Sequence, residues 1–391
     1  MHYVKEKNSL SFQSCRGGKA NHGQHDTTSM TDYLYRCELG SEALAHGDFK
    51  IARDYFELIL NDAKKIKNKR FEGNACNWLG RAYHCLGEFT KATELFQLGL
   101  SIAKNTGNTD AEGIIYNNLG AAYYFLGEFK KAMELSQLGL SILKNTGNKD
   151  AEGAVYNSLG TAYHALGEFK KAIELFQRGL RIAKETGNKD AQGTRYNNLG
   201  VVYQSLGESK KAIELFKRGL RIAQSTGRKD AERNEYINLS YAYRSLVDFE
   251  KAIEFSQLGL IIAKKTENKD LLGRGYNSLG HTYLSLGDVE KAIEFSKLGL
   301  TIAKETGNKY SEGRGYIDFG RAYQSLHYSQ KAIEFHQQGL SVVKKTGDKD
   351  TEQFAYGELA RAFRSLGDFL KAEGFFKSKI KLVEEMRVLL Q

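Results

Sequence analysis

Apolar residues in this chain recur at the spacing of an amphipathic helix, and the pattern is repeated many times. Within residues 110–150, the first apolar series is Tyr116, Leu119, Tyr123 and Leu126. This three-four-three spacing predicts one helical stripe. We expect the helix to begin at a cap because a short acidic side chain, Asp110, precedes the series.

A second apolar series follows a glycine and predicts a second helix. Gly127 should end the first helix, since glycine adopts the left-handed cap conformation without strain. The next apolar positions are Phe129, Ala132, Leu135, Leu140 and Leu143. A helix, a tight turn and a second helix form an antiparallel helical hairpin.

The hairpin pattern recurs with a period of forty residues. A Leu-Gly pair or a related pair marks the same phase of each unit, at Leu39-Gly40, Leu79-Gly80, Leu119-Gly120, Leu159-Gly160, Leu199-Gly200, Leu239-Ser240, Leu279-Gly280, Phe319-Gly320 and Leu359-Ala360. A fixed period of this length predicts an all-α solenoid, in which each unit buries its apolar face against its neighbours. We therefore predict an array of about nine units over residues 31–391 and a flexible tail over residues 1–30.

Glycines also recur inside the predicted second helices. They stand at one phase, at Gly99, Gly139, Gly179, Gly219, Gly259, Gly299 and Gly339. Each glycine should lower the stability of its helix by about 0.5–1 kcal/mol relative to alanine. We interpret them as sites of close packing between neighbouring hairpins.

Composition narrows the functional classes. The net charge is +10, yet many of the lysines recur at one predicted solvent-facing position, as in Lys91, Lys131 and Lys171. A solvated outer face explains them better than a nucleic-acid patch. The four cysteines form no CxxC pair, which favours a reduced, cytoplasmic protein. No apolar run is long enough for membrane insertion. No residue pattern calls for a metal or another cofactor.

The repeated residues resemble the tetratricopeptide repeat. Its pattern of aromatic, Leu-Gly, Tyr, Gly, Ala and aromatic positions is met by Tyr156, Leu159, Gly160, Tyr163, Gly167, Ala172 and Phe176. The resemblance implies a right-handed α-solenoid whose first helices line a concave groove. It also implies a non-enzymatic scaffold for protein–protein interaction.

A finer resemblance concerns two groups within that superfamily. The sequence of the units is similar to that of tetratricopeptide repeat protein 28-like arrays and, more distantly, to that of the LGN/Partner-of-Inscuteable scaffolds. The LGN group usually has Asn directly after Leu-Gly, whereas this chain has other residues there, such as Arg81, Thr161 and Arg321. Arrays of the first kind can continue into a caspase-like domain, so this array could be one portion of a larger protein.

Asparagines form a row at one phase of the predicted groove. The row is Asn77, Asn117, Asn157, Asn197 and Asn277, with Asn118, Asn198 and Asn238 one residue later. A side-chain amide both donates and accepts, which suits pairing with the backbone of an extended peptide. The alternative is that these amides bond to one another or to water. Tyr124 belongs to an apolar lining of the same groove.

Arginines replace this lining in the later units. They are Arg244, Arg274, Arg314, Arg321, Arg361 and Arg364. Arginine clusters bind carboxylates or phosphates through paired hydrogen bonds. The predicted partner is therefore a protein or peptide with an acidic or phosphorylated stretch. The alternative is that Asp318 and Glu358 neutralise the arginines from within the chain.

Other functions are less well supported by the sequence. The sequence shows no catalytic constellation. His84 and Cys85 are a candidate nucleophile pair, but they are adjacent on a helix and point in different directions, so they cannot act together. Nucleic-acid binding is the runner-up, but the arginine-rich half lacks interleaved exposed aromatics for stacking. The apolar C-terminal helix predicts self-association or contact with a further domain.

Overall fold

The computed structural model describes residues 27–46, 48–265, 269–346 and 348–388. Within these ranges every regular element is an α-helix, and there are eighteen of them. The first helix begins at Thr27, so it includes the last residues of the predicted 1–30 tail. Residues 1–26 of that tail lie outside the described residues.

The helices have nearly uniform length and alternate along the chain. We number them α1 Thr27–His46, α2 Phe49–Lys65, α3 Lys69–Cys85, α4 Phe89–Asn105, α5 Thr109–Phe125, α6 Phe129–Thr146, α7 Lys149–Ala165, α8 Phe169–Glu185, α9 Lys189–Ser205, α10 Ser209–Ser225, α11 Lys229–Ser245, α12 Phe249–Lys265, α13 Lys269–Leu286, α14 Val289–Glu305, α15 Lys309–Ser325, α16 Ser329–Thr346, α17 Lys349–Leu366 and α18 Phe369–Val388. Odd-numbered helices are the first helices of hairpins, and even-numbered helices are the second. The all-α solenoid class predicted from the period is confirmed.

The chain divides into two compact units, Met1–Val202 and Tyr203–Gln391, and each is a stack of hairpins. Within each unit consecutive helices pack against each other, as α5 with α6 in the first and α15 with α16 in the second. Successive first helices also touch directly, as α3 with α5 and α5 with α7 in one unit and α11 with α13, α13 with α15 and α15 with α17 in the other. Successive second helices lie further apart, so the first helices form the inner side of each unit.

Asparagine, not the predicted aspartate, caps α5 and α7. Asn108 precedes α5, and its side-chain oxygen accepts a hydrogen bond from the Ala111 N–H at 3.3 Å. Asn148 does the same for Ala151 at 3.1 Å. The prediction of Asp110 as the cap is wrong because Asp110 already lies in the first helical turn, where its charge faces the positive helix end.

The recurring second-helix glycines mark close approach mainly within one hairpin. A Cβ atom at Gly139 of α6 would lie 2.7 Å from the carbonyl oxygen of Gly113 on α5. At Gly99 of α4 it would lie 3.2 Å from the oxygen of Gly73 on α3. The interpretation as packing between neighbouring hairpins holds at Gly219, where the added atom would meet Glu235 of the next hairpin, and at Gly179, where it would meet Arg195. It is corrected for the other positions, where the two helices of the same hairpin approach most closely.

The repeated lysines of the outer face lie over tyrosine rings. The Nζ atom of Lys131 is 3.8 Å from the centroid of the Tyr123 ring, and Lys171 lies 5.3 Å from Tyr163. Each lysine also pairs with an acidic residue three positions earlier, as Lys171 with Glu168. The lysines are exposed, as predicted, but their charges are engaged in cation–π contacts and ion pairs within the hairpin.

From α3 onward, the turn after each first helix places one residue in the left-handed region. Glycine meets this need at Gly207, with φ of 76°. Forty residues later Val247 stands at the same position with φ of 62°, and His327 also has φ of 62°. A β-branched residue in this conformation is strained by about 1–2 kcal/mol.

We predict that Val247→Gly stabilises the protein. The relieved strain exceeds the cost of about 0.5–1 kcal/mol that glycine adds through the unfolded chain, so the free energy of unfolding should rise by about 0.5–1 kcal/mol. Urea unfolding of the full chain measures this. The matched control, Gly207→Val, should lower stability. A destabilised Val247→Gly variant would contradict the strain assigned to this turn.

Candidate functional site

The predicted asparagine row lies largely inside the protein. Five of its members are buried, with exposed fractions of 2–9 %: Asn77, Asn117, Asn118, Asn157 and Asn197. Asn198, Asn238 and Asn277 are half-buried. The side chains are therefore enclosed between first helices, where a peptide backbone has little access to them.

Two pairs of these asparagines bond to each other across successive first helices. The Asn118 amide donates to Oδ1 of Asn77 at 2.7 Å, and the Asn198 amide donates to Oδ1 of Asn157 at 2.7 Å. The alternative interpretation, mutual bonding, describes these two pairs. Because each pair joins residues forty-one apart, it connects one hairpin to the next. A role for the asparagines as peptide contacts stays a prediction.

Not every buried amide of the row finds a partner. Oδ1 of Asn117 accepts no hydrogen bond from any described residue, and the same holds for Oδ1 of Asn277.

Tyr124 is half-buried and makes edge-to-face contacts with Phe125 and Phe129 at centroid distances of 5.4 and 5.3 Å. Phe125 itself is exposed, so the inner side of α5 presents an aromatic edge.

The predicted arginines differ in exposure. They come from first helices of the second unit: Arg244 from α11, Arg274 from α13, Arg314 and Arg321 from α15, and Arg361 and Arg364 from α17. Arg244 and Arg321 are half-buried and the other four are exposed. The structure thus places all six on the first helices, which form the inner side.

Two of the arginines have acidic partners. Asp318 accepts a hydrogen bond from Nε2 of His281 at 2.8 Å, and Arg321 lies 4.0 Å from the same carboxylate. Arg321 also contacts Nδ1 of His281 at 3.2 Å. Arg361 pairs with Glu358 at 2.6 Å. The alternative of internal neutralisation therefore applies to Arg321 and Arg361.

The other arginines lack such partners. None of Arg244, Arg274, Arg314 and Arg364 forms an ion pair with an acidic side chain in the described part of the chain. Arg244 lies 5.0 Å from the Tyr241 ring, and its Nη1 atom is buried with no hydrogen-bond partner among the described residues. Arg314 donates to the Tyr310 hydroxyl at 2.8 Å. Positive charge on this surface is thus only partly compensated.

The pKa shifts indicate that these groups act on one another. Burial lowers the pKa of Arg244; nearby Tyr241 and Asp318 oppose this, and the charges of Arg321 and Arg314 lower the pKa further. Burial alone would raise the pKa of Asp318, but His281, Arg321 and Arg314 outweigh it and leave the pKa lowered. Asp318 therefore remains ionised and holds its cationic neighbours in place.

His281 is a site residue that sequence reasoning missed. It stands forty residues before Arg321, at the position that directly follows the Leu-Gly pair. Residues at this phase on successive first helices are close enough to hydrogen-bond, as this pair does. The period itself could have identified the contact.

A buried histidine lies behind the arginine surface. His336 of α16 is fully buried and packs on Gly320, where the equivalent hairpins place Phe96 on Gly80 and Phe176 on Gly160. Neither ring nitrogen has a hydrogen-bond partner among the described residues. Burial lowers the pKa of His336 to about 4; Arg321 and Arg361 add to this, and Asp318 opposes it.

In the described ranges no group of three or more His, Cys, Asp or Glu side chains is arranged to hold a metal ion. Over the same part of the chain, every helix is too short or too polar to cross a membrane.

Comparisons with known proteins identify the repeat. One tetratricopeptide repeat family model matches residues 73–145 and 151–225, and a second matches residues 273–306. These segments therefore carry tetratricopeptide repeats, as predicted. No curated protein sequence matches this chain.

Solved structures share the fold at low sequence identity. The apo quorum sensor NprR from B. thuringiensis has a TM-score of 0.65 and 17 % identity over 90 % of this chain and 99 % of its own. A Rap protein complexed with Competence and Sporulation Factor has a TM-score of 0.63 and 15 % identity over 89 % and 94 %. Aspartyl phosphate phosphatase F from Bacillus subtilis has a TM-score of 0.59 and 13 % identity over 94 % and 96 %. These likenesses support the fold and no particular activity.

We predict that the Asn77–Asn118 pair stabilises the first unit. Asn77→Ala and Asn118→Ala should each lower the free energy of unfolding by about 1–3 kcal/mol, because each breaks a buried hydrogen bond between two amides. The double variant should lose about 1 kcal/mol less than the sum of the two. Urea unfolding gives all three values. Strictly additive losses would show that the hydrogen bond contributes no coupling.

We predict that His336 makes the protein less stable in mild acid. The unfolded histidine binds a proton below about pH 6.5, whereas the folded one stays neutral down to about pH 4. The free energy of unfolding therefore has its full value above about pH 6.5 and falls as the pH drops below it. The loss near pH 5 should be roughly 2 kcal/mol. His336→Phe should remove this part of the pH dependence. Equal pH slopes of urea-unfolding free energy in both proteins would contradict the prediction.

Proposed function

We propose that this protein is a non-enzymatic interaction scaffold that binds an extended, acidic peptide segment on the inner side of residues 203–391. The supporting observation is the set of arginines there without acidic partners, above all Arg244, Arg274 and Arg314. Arginine donates paired hydrogen bonds to carboxylates, and an acidic peptide would neutralise the positive charge of the arginines that have no acidic partner.

The tetratricopeptide repeats support a scaffold role, since stacked hairpins present an extended surface for binding. The similar Rap structure was obtained in complex with Competence and Sporulation Factor, which is consistent with ligand binding on this fold. One similar structure is named as a phosphatase. We infer no such activity for this chain.

Several finer expectations from the sequence stay predictions. They include the resemblance to tetratricopeptide repeat protein 28-like arrays and to the LGN group, the cytoplasmic location, and the possible place of this array in a larger protein. The expected contact at the C-terminal helix also stays a prediction. On α18, Phe369, Leu370, Phe376 and Ile380 are exposed, which is consistent with it.

We predict that peptides selected by the full chain are acidic and depend on the unpaired arginines. A random peptide-display library would be panned against the protein, and affinities of the enriched peptides measured by fluorescence anisotropy. Arg274→Glu with Arg314→Glu should weaken binding about tenfold or more, because two attractive charges become repulsive. Raising the salt from about 50 to about 300 mM should also weaken it.

The matched control is Lys297→Glu with Lys345→Glu. These lysines are exposed on second helices and the change in net charge is the same. The control should bind almost as tightly as the unmodified chain. Enrichment of neutral or basic peptides, or equal losses in both double variants, would contradict the proposal. A random RNA that binds more tightly than any enriched peptide would favour nucleic acid instead.

A further inference from the structure

We infer that Arg244, Arg314 and Arg321 form a subsite for a phosphate monoester, such as a phosphorylated serine or threonine of the partner peptide. The inference rests on the proposed function and deepens it, because it assigns one doubly charged group of the acidic peptide to three particular residues. We call these three residues the arginine triad.

The triad draws on two first helices, α11 and α15, which both pack against α13. The charges of Arg314 and Arg321 both act on Arg244, and Tyr241 beside Arg244 acts in turn on Arg314. Arg244 is held over the Tyr241 ring, and Arg314 is held by the Tyr310 hydroxyl. Arg244 and Arg314 therefore each have an aromatic or phenolic support that fixes the guanidinium without neutralising it, whereas Arg321 is held by Asp318 and His281.

The charge balance of the subsite favours a dianion. Asp318 lies 4.0 Å from Arg321 and also accepts a hydrogen bond from His281. Glu358, whose pKa burial raises and Arg361 and Arg321 lower, is paired with Arg361 outside the triad. One carboxylate against three guanidinium groups leaves two positive charges. A phosphate monoester carries a charge of about −1.5 to −2 at neutral pH, whereas a glutamate carries about −1.

Hydrogen-bonding capacity supports the same ligand. The buried Nη1 atom of Arg244 has no partner among the described residues, which is costly for a charged group. A phosphate presents three acceptor oxygens and can receive bonds from several guanidinium groups at once. A single carboxylate has two oxygens and satisfies fewer of them.

The test compares three peptides of identical, otherwise neutral sequence whose central residue is phosphoserine, glutamate or serine. Fluorescence anisotropy with the full chain should show that the phosphoserine peptide binds at least about tenfold more tightly than the glutamate peptide, which corresponds to about 1.4 kcal/mol. Inorganic phosphate should compete with it, and sodium chloride of the same ionic strength should compete less.

Variants at exposed Arg314 test the role of the triad with little risk to the fold. Arg314→Gln should remove most of the preference for phosphoserine, and Arg314→Lys should keep part of it because charge remains while the paired geometry is lost. Lys345→Gln on the outer side is the matched control and should change nothing. Circular dichroism melting checks that each variant is folded.

The outcomes distinguish this inference from the proposed function. Equal affinity for the phosphoserine and glutamate peptides, with binding of the display-selected acidic peptides retained, overturns the subsite and leaves the scaffold proposal standing. Loss of all acidic-peptide binding overturns both. A preference for phosphoserine that survives Arg314→Gln also overturns the subsite, as does stronger competition by random RNA than by the phosphoserine peptide.

Discussion

The close approach of the two helices within a hairpin is the constraint on which the rest of the structure depends. It requires a position without a side chain, as where Gly139 faces the backbone of Gly113 and Gly99 faces that of Gly73. The Leu-Gly glycines serve the same packing from the first helix, since Gly80 and Gly160 receive the rings of Phe96 and Phe176. These contacts fix the rotation of each first helix and so decide which of its residues reach the inner side.

Electrostatics divide the surface by helix type. On the second helices, lysine charges are engaged by tyrosine rings and nearby carboxylates, as at Lys171 with Tyr163 and Glu168. On the first helices of residues 203–391, Arg244 and Arg314 have aromatic supports but no acidic partner among the described residues. The net charge of +10 therefore does not mark the outer face as a binding surface, because its lysine charges are largely compensated. More of the uncompensated positive charge lies on the inner side.

Periodicity predicted the helices and their pairing well, because one stripe of apolar residues per helix and a glycine at each turn leave few alternatives. It failed where the answer depends on distances between repeats. The burial of Asn117 and the Asn118–Asn77 hydrogen bond come from how closely successive first helices pack, and no single repeat contains that information. The cap at Asn108 was missed because Asp110 is also a common capping residue type.

The same reasoning explains what could be predicted of the site. The arginines were found because charge at one repeated phase is visible in the sequence. Their environment was not, because the His281–Asp318–Arg321 contacts and the unpartnered nitrogen of Arg244 require coordinates. Asp318 was expected only as a neutralising charge, and it also holds His281 in place.

The most direct measurement of the central claim is photo-crosslinking of a display-selected acidic peptide to the full chain, followed by mass spectrometry of the linked residues. The account predicts that the adducts fall on α11, α13 and α15, on residues that share the inner side with Arg274 and Arg314. Adducts concentrated on second helices such as α12 and α14 would contradict it.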